Sequence, residues 1–133
     1  MTNTDWEKIV QFWLDEAGEA LRVADHLFEK GDYSYSLFFG HLGIEKFLKA
    51  VYVSKKRKHA PPVHNLERLA VEAALEMTVQ KRDLLIRVTA YNIEARYPDI
   101  HRSFREKCTA DFTGRELNEI KEFIQWLQSI TIH

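Results

Sequence analysis

The stretch YSLFFGHLGIEKFLKAVYV, residues 35–53, decides the fold. Leu37, His41, Ile44, Leu48, Val51 and Tyr52 recur at three- and four-residue intervals, the spacing that lines up side chains on one face of an α-helix. Gly40 and Gly43 sit inside it, and each costs a helix about 1 kcal/mol relative to Ala. Two glycines in so apolar a segment predict close approach by another helix. KKRKHAPP, residues 55–62, follows, with cations at the helix end, where they complement the dipole, and then a loop fixed by Pro61–Pro62.

Helical spacing continues in both directions. Upstream, TDWE offers Thr4 and Glu7 as a capping box. Trp6, Ile9, Trp13, Ala17, Ala20, Leu21, Ala24, Leu27 and Phe28 then recur periodically until Gly31, a left-handed stop. Downstream, Asn65 in HNLERLAVEAAL is an N-cap, with Leu66, Leu69, Ala70 and Ala73 as the apolar face. A fourth helix is expected from about Thr78, carrying Leu84, Val88, Tyr91 and Ala95, and ending before Pro98 because a residue preceding proline is biased out of the α region. FTGRE supplies another capping box, Thr113 with Glu116. Leu117, Ile120, Phe123, Ile124, Leu127 and Ile130 follow as the stripe of a last helix. No segment alternates like a strand and no repeat is visible. The expectation is an all-α, up-and-down bundle of about five helices, one domain over residues 1–133.

A chain of 133 residues, 45% hydrophobic and 29% charged, can bury one core without staples. With a net charge of −1 it has no global field for nucleic acid, so any contact with RNA or a nucleotide needs a local patch. The lone Cys108 cannot form an internal disulfide, and no Cys/His spacing suggests a metal. No secretory core or membrane-spanning run is seen, so a cytoplasmic setting with no membrane partner is expected. There is no GxxxxGK or GxGxxG, so phosphate would rest on side chains or helix ends, and no cofactor is expected.

Several residues could carry chemistry. Glu45 and Lys49 are an i,i+4 pair worth only about 0.2–0.5 kcal/mol on a surface, but they could equally line a cleft mouth. His41, one turn before Glu45, reads as a buried, hydrogen-bonded imidazole or as one the carboxylate orients. KKRK, residues 55–58, has no interleaved aromatic platform and is a weak nucleic-acid signal. His64 has no second ligand at metal spacing, and Cys108 reads as inert. Trp6, Trp13 and Trp126 would anchor a protein interface if exposed, though their spacing favours the core. In RYPDIH, residues 96–101, Arg96 offers a planar fork for phosphate, Tyr97 an aromatic face, Asp99 a carboxylate and His101 a proton exchanger. The plain alternative is a helix-ending turn, with Arg96 paired to a carboxylate and Tyr97 packed inside.

YSLFFGHLGIEKFLKAVYV, HNLERLA and YNIEARYPD, in this order, resemble the HEPN domain, in particular the small stand-alone HEPN proteins encoded beside a minimal nucleotidyltransferase. The resemblance implies a helical bundle, a homodimer, and one half of a toxin–antitoxin-like module with a nucleotidyltransferase partner. It also implies nucleotide binding, which falls here on Glu45, Lys49, Arg96, Tyr97 and Asp99. Some members are metal-independent ribonucleases that use an arginine and a nearby histidine at a dimer cleft; carried onto this chain, those are Arg96 and His101. The cutting branch favours a small polar residue after the arginine. Tyr97 and Pro98 stand there instead, which places a binding role first and catalysis second.

Overall fold

The computed structural model describes residues 1–131, and the side chains of all of these except 98–101 and 131. Six helices run in the order α1 (Asn3–Glu29), α2 (Tyr33–Lys56), α3 (Leu66–Glu72), α4 (Val79–Glu94), α5 (Pro98–Lys107) and α6 (Ala110–Thr131). No strand occurs among the described residues. The architecture is an all-α bundle.

Helix α2 is the axle, packing against each of the other five. Its buried residues, Leu37, Gly40, His41, Gly43, Ile44, Phe47, Leu48, Val51 and Val53 among them, surround the helix instead of forming one stripe. The predicted close approaches occur on two sides. A Cβ on Gly40 would lie 2.8 Å from Ile120 Cδ1 of α6, and one on Gly43 would lie 2.8 Å from Leu21 Cδ2 of α1. Helices α1 and α2 form an antiparallel hairpin that turns at Gly31, whose φ of +81° lies in the left-handed region that glycine adopts without a Cβ penalty.

Asn65 and Thr78 cap α3 and α4 as expected, accepting from Arg68 N at 3.0 Å and Lys81 N at 3.2 Å. Three boundaries differ from the sequence reading. The box that opens α1 is Thr2 with Asp5, not Thr4 with Glu7: Thr2 Oγ1 accepts from Asp5 N at 3.2 Å, and Asp5 accepts from Thr2 N at 2.8 Å. Two overlapping boxes compete there, and the earlier one extends the helix. The last helix begins at Ala110, capped by Thr109 Oγ1, which accepts from Phe112 N at 3.2 Å, so Thr113 and Glu116 lie inside α6. Among the described residues one helix more than the about five expected is present, because Pro98 starts one. At the first helical position its missing N–H costs nothing and its fixed φ suits the helix.

Gly40→Ala should gain about 1 kcal/mol in helix propensity but lose about 1–3 kcal/mol to overpacking against Ile120, a net loss in urea denaturation. Adding Ile120→Val, which removes the clashing methyl, should restore most of that stability.

Candidate functional site

The site grows from polar residues that the apolar α2 carries into the interior. Glu45 is buried, and its carboxylate accepts from His64 Nδ1 at 2.7 Å and from Lys49 Nζ at 3.3 Å. A carboxylate can only accept, so His64 Nδ1 carries the proton. His41, fully buried, donates from Nε2 to the His64 carbonyl at 3.0 Å, while its Nε2 stands 4.0 Å from Glu45 Oε1. Its Nδ1 is buried without a hydrogen-bond partner. Lys49 lies over the Trp13 ring, 5.2 Å from its centroid. The Glu45–Lys49 pair is therefore not the solvated bridge of the plain reading but a desolvated one, closed by a histidine from the α2–α3 loop.

His64 is the outward end of this network, its side chain 55% exposed. Two hydrogen bonds fix it: its ring to Glu45 and its backbone carbonyl to His41. Asn65, the next residue, begins α3, so the loop delivers the imidazole to the same place each time the helix forms.

Burial holds the His41 pKa below its ordinary 6.5; the His64 carbonyl and Glu45 oppose the shift, while His64 and Arg96 reinforce it. The guanidinium of Arg96, just past the end of α4, is thus one of the charges that act on His41. Arg96 is exposed and forms no ion pair among the described residues, and Tyr97 is 58% exposed. Tyr97 is therefore not packed inside, as the plain reading of RYPD expects, although α4 does end at this turn. The structure brings Glu45, Lys49 and His64 together around His41, while Arg96 and Tyr97 lie exposed between α4 and α5. The side chains of Asp99 and His101 lie outside the described residues.

A second polar cluster ties α4 to α6. Arg87 donates to Glu116 at 2.6 and 3.1 Å and to Glu119 at 2.5 Å, and Tyr91 donates a very short bond to Glu116. Burial pushes the Glu116 carboxyl up, but bonds from Arg87, Tyr91 and Glu119 outweigh it and leave the pKa lowered. The cluster walls an open cleft of about 510 Å³ lined also by Phe112, Arg115 and Asn118. The sequence reading missed it by assigning Glu116 to a cap. The available signal was Arg87 one turn before the core residue Tyr91.

Cys108 is buried, as an inert thiol would be, whereas the tryptophans, which their spacing put in the core, lie at its edge. Burial, reinforced by Glu94, pushes the Cys108 thiol up to about 11, so it stays protonated. Trp6, Trp13 and Trp126 are partly buried, neither sealed in the core nor displayed as anchors. Among the described residues, no trio of His, Cys, Asp or Glu is placed to hold a metal ion, and no helix is long and apolar enough to cross a membrane.

The HEPN domain model matches residues 10–130, from the second turn of α1 almost to the end of α6. The chain belongs to the HEPN domain family. Comparisons with curated proteins and with solved structures found no match. The polar cluster of this HEPN domain thus lies on its central helix, with Arg96 at the α4–α5 break.

Because folded His41 resists protonation, the unfolded chain binds more protons below pH 6.5, and His41 removes stability as pH falls beneath that value. Its contribution is complete above 6.5. His41→Gln, which can still donate to the His64 carbonyl but cannot titrate, should give a shallower loss of stability below pH 6.5 in urea melts.

Proposed function

We propose that this HEPN domain is the binding subunit of a two-protein, toxin–antitoxin-like module, working as a homodimer with a minimal nucleotidyltransferase and holding a nucleotide for it. The observation that carries the reading is the exposed Arg96 guanidinium, which forms no ion pair among the described residues and whose charge acts on His41, the residue bonded to the His64 end of the Glu45–Lys49–His64 network. Arg96 supplies a planar fork for phosphate, Tyr97 an exposed ring for a base, and His64 a fixed polar edge. Lys49 and Glu45 act behind them: the lysine neutralises the carboxylate, and the carboxylate aims the imidazole. Asp99 belongs to the same proposed set by its place after Tyr97. Phosphoryl chemistry is assigned to the partner, because this chain's contribution is side-chain recognition.

Calorimetric titration with ATP tests this. Removing a charge-assisted hydrogen bond costs about 1.5–3 kcal/mol, so Arg96→Ala should weaken binding at least about ten-fold. Tyr97→Ala should weaken it several-fold. No binding by the parent chain, or equal binding by Arg96→Ala, overturns the reading.

The second reading is a metal-independent endoribonuclease using Arg96 and His101 at a dimer cleft. It draws support from the same exposed guanidinium, which could stabilise the charge of a pentacoordinate phosphorane. Here the parent should cleave RNA in EDTA, while Arg96→Ala and His101→Ala should be at least about 100-fold slower, since general acid–base catalysis contributes roughly that much. Absence of cleavage by the parent removes it.

A further inference from the structure

Four glycines stand inside helices, and three of them face a neighbour within the chain. A Cβ on Gly40 or Gly43 would meet Ile120 or Leu21 at 2.8 Å, and one on Gly114 would touch Phe28 at 3.5 Å. Gly18, in the middle of α1, is the exception: it is exposed, its backbone is not left-handed, and a Cβ there would meet nothing within 4 Å. Glycine weakens a helix interior relative to alanine, and here no contact inside the molecule repays the loss. Gly18 borders an open groove of about 340 Å³ between α1 and α6. Leu14 and Leu21, one turn to either side of it, form one wall, Ile124 and Gln128 of α6 form the other, and Phe47 of α2 lies beneath. Lys121 ties α6 to Asp25 of α1 at 2.5 Å. The lining residues precede Asp25 on α1 and follow Lys121 on α6, so the groove opens where that tie ends.

The charges around the groove are of one kind once pairs are set aside. Its two bordering cations are both held, Arg22 by Glu19 at 2.5 and 3.0 Å and Lys121 by Asp25. Asp15, next to Leu14, accepts from the neutral Gln11 at 2.8 Å and has no counter-ion among the described residues. Helix α1 as a whole sets seven acids against two cations, a net of −5 with His26 neutral.

We propose that this groove docks a basic amphipathic helix of a partner protein, with apolar anchors between Leu14, Leu21 and Ile124, its backbone against Gly18, and its cations on Asp15 and Glu19. Leu14 and Leu21 are two turns apart, about 10 Å at 1.5 Å per residue, the span of i and i+7 anchors on a docked helix. A position without a side chain suits the approach of a second rod. Nucleic acid or an anionic lipid would set phosphate against an acidic helix, and a two-fold copy would set α1 against α1; like charges oppose both. None of these residues belongs to the Glu45–His64 network or to the Arg96 turn, so the proposal stands or falls apart from the nucleotide reading.

The experiment is fluorescence anisotropy of the full chain at physiological salt. The probe is a labelled synthetic peptide of about 18 residues, five helical turns, with leucine and alanine on one face and lysine on the other. One comparison peptide has glutamate for lysine, and another has the same composition in scrambled order. The parent should bind the lysine helix at least about ten-fold more tightly than either comparison peptide. Gly18→Leu has room to fold and should keep or raise Tm, yet raise Kd at least about ten-fold by filling the place where the partner's backbone lies. Asp15→Lys with Glu19→Lys, at exposed positions, should raise Kd about ten-fold and flatten its salt dependence. No binding by the parent, or equal binding of the lysine and glutamate helices, overturns the proposal. So does a folded Gly18→Leu that binds like the parent. If Gly18→Leu lowers Tm, the charge reversal decides alone, and a parent-like Kd there overturns the proposal too. Self-association of the parent in sedimentation that Gly18→Leu abolishes also overturns it, since a second copy then fills the groove.

Discussion

Everything in this bundle is arranged around a helix that has no solvent side along most of its length. Helix α2 meets five neighbours, and two of the closest approaches are possible only because Gly40 and Gly43 present no side chain to Ile120 and Leu21. Enclosure then constrains the polar residues the helix carries. Ser36 answers it by donating to the Ala24 carbonyl at 2.7 Å. His41, Glu45 and Lys49 answer it together, with His64 brought in from the following loop. A charge so enclosed is tolerable only when paired and hydrogen-bonded. The tight packing of the axle and the fixed geometry of the candidate site therefore have the same cause.

The α4–α6 tie follows the same logic with weaker enclosure. Glu116 is buried, yet Arg87 and Glu119 reach it from a partly open wall, and the phenol of Tyr91 closes it from inside. Tyr91 also stacks on Phe104 of α5 at 5.2 Å. One residue thereby couples α4 to both later helices, which steadies the segment that presents Arg96.

What could be read from the chain alone was whatever depends on periodicity. Leu66, Leu69, Ala70 and Ala73 lie on the buried face of α3 as their spacing requires, and Asn65 and Thr78 cap as their chemistry requires. Boundaries with two candidate caps were less legible, because Thr2 and Thr4, or Thr109 and Thr113, each have suitable acceptors and only the packed structure chooses between them. The partners of Glu45 were half legible. Lys49 is four residues away and visible, whereas His64 is nineteen away across a loop, and no local pattern announces that bond. Trp6 and His59 were illegible for the same reason: their meeting is a property of the hairpin.

Helix α4 ends at Glu94, Tyr97 is extended with φ −101° and ψ 120°, and α5 starts at Pro98. The arginine of RYPDIH therefore sits in a short elbow, past the end of one rod and before the start of the next. Lengthening, shortening or re-angling that elbow alters where the guanidinium is presented while the core beneath stays the same. Such a scaffold lets the presentation of one guanidinium be changed by editing three residues, without rebuilding anything that holds the protein together.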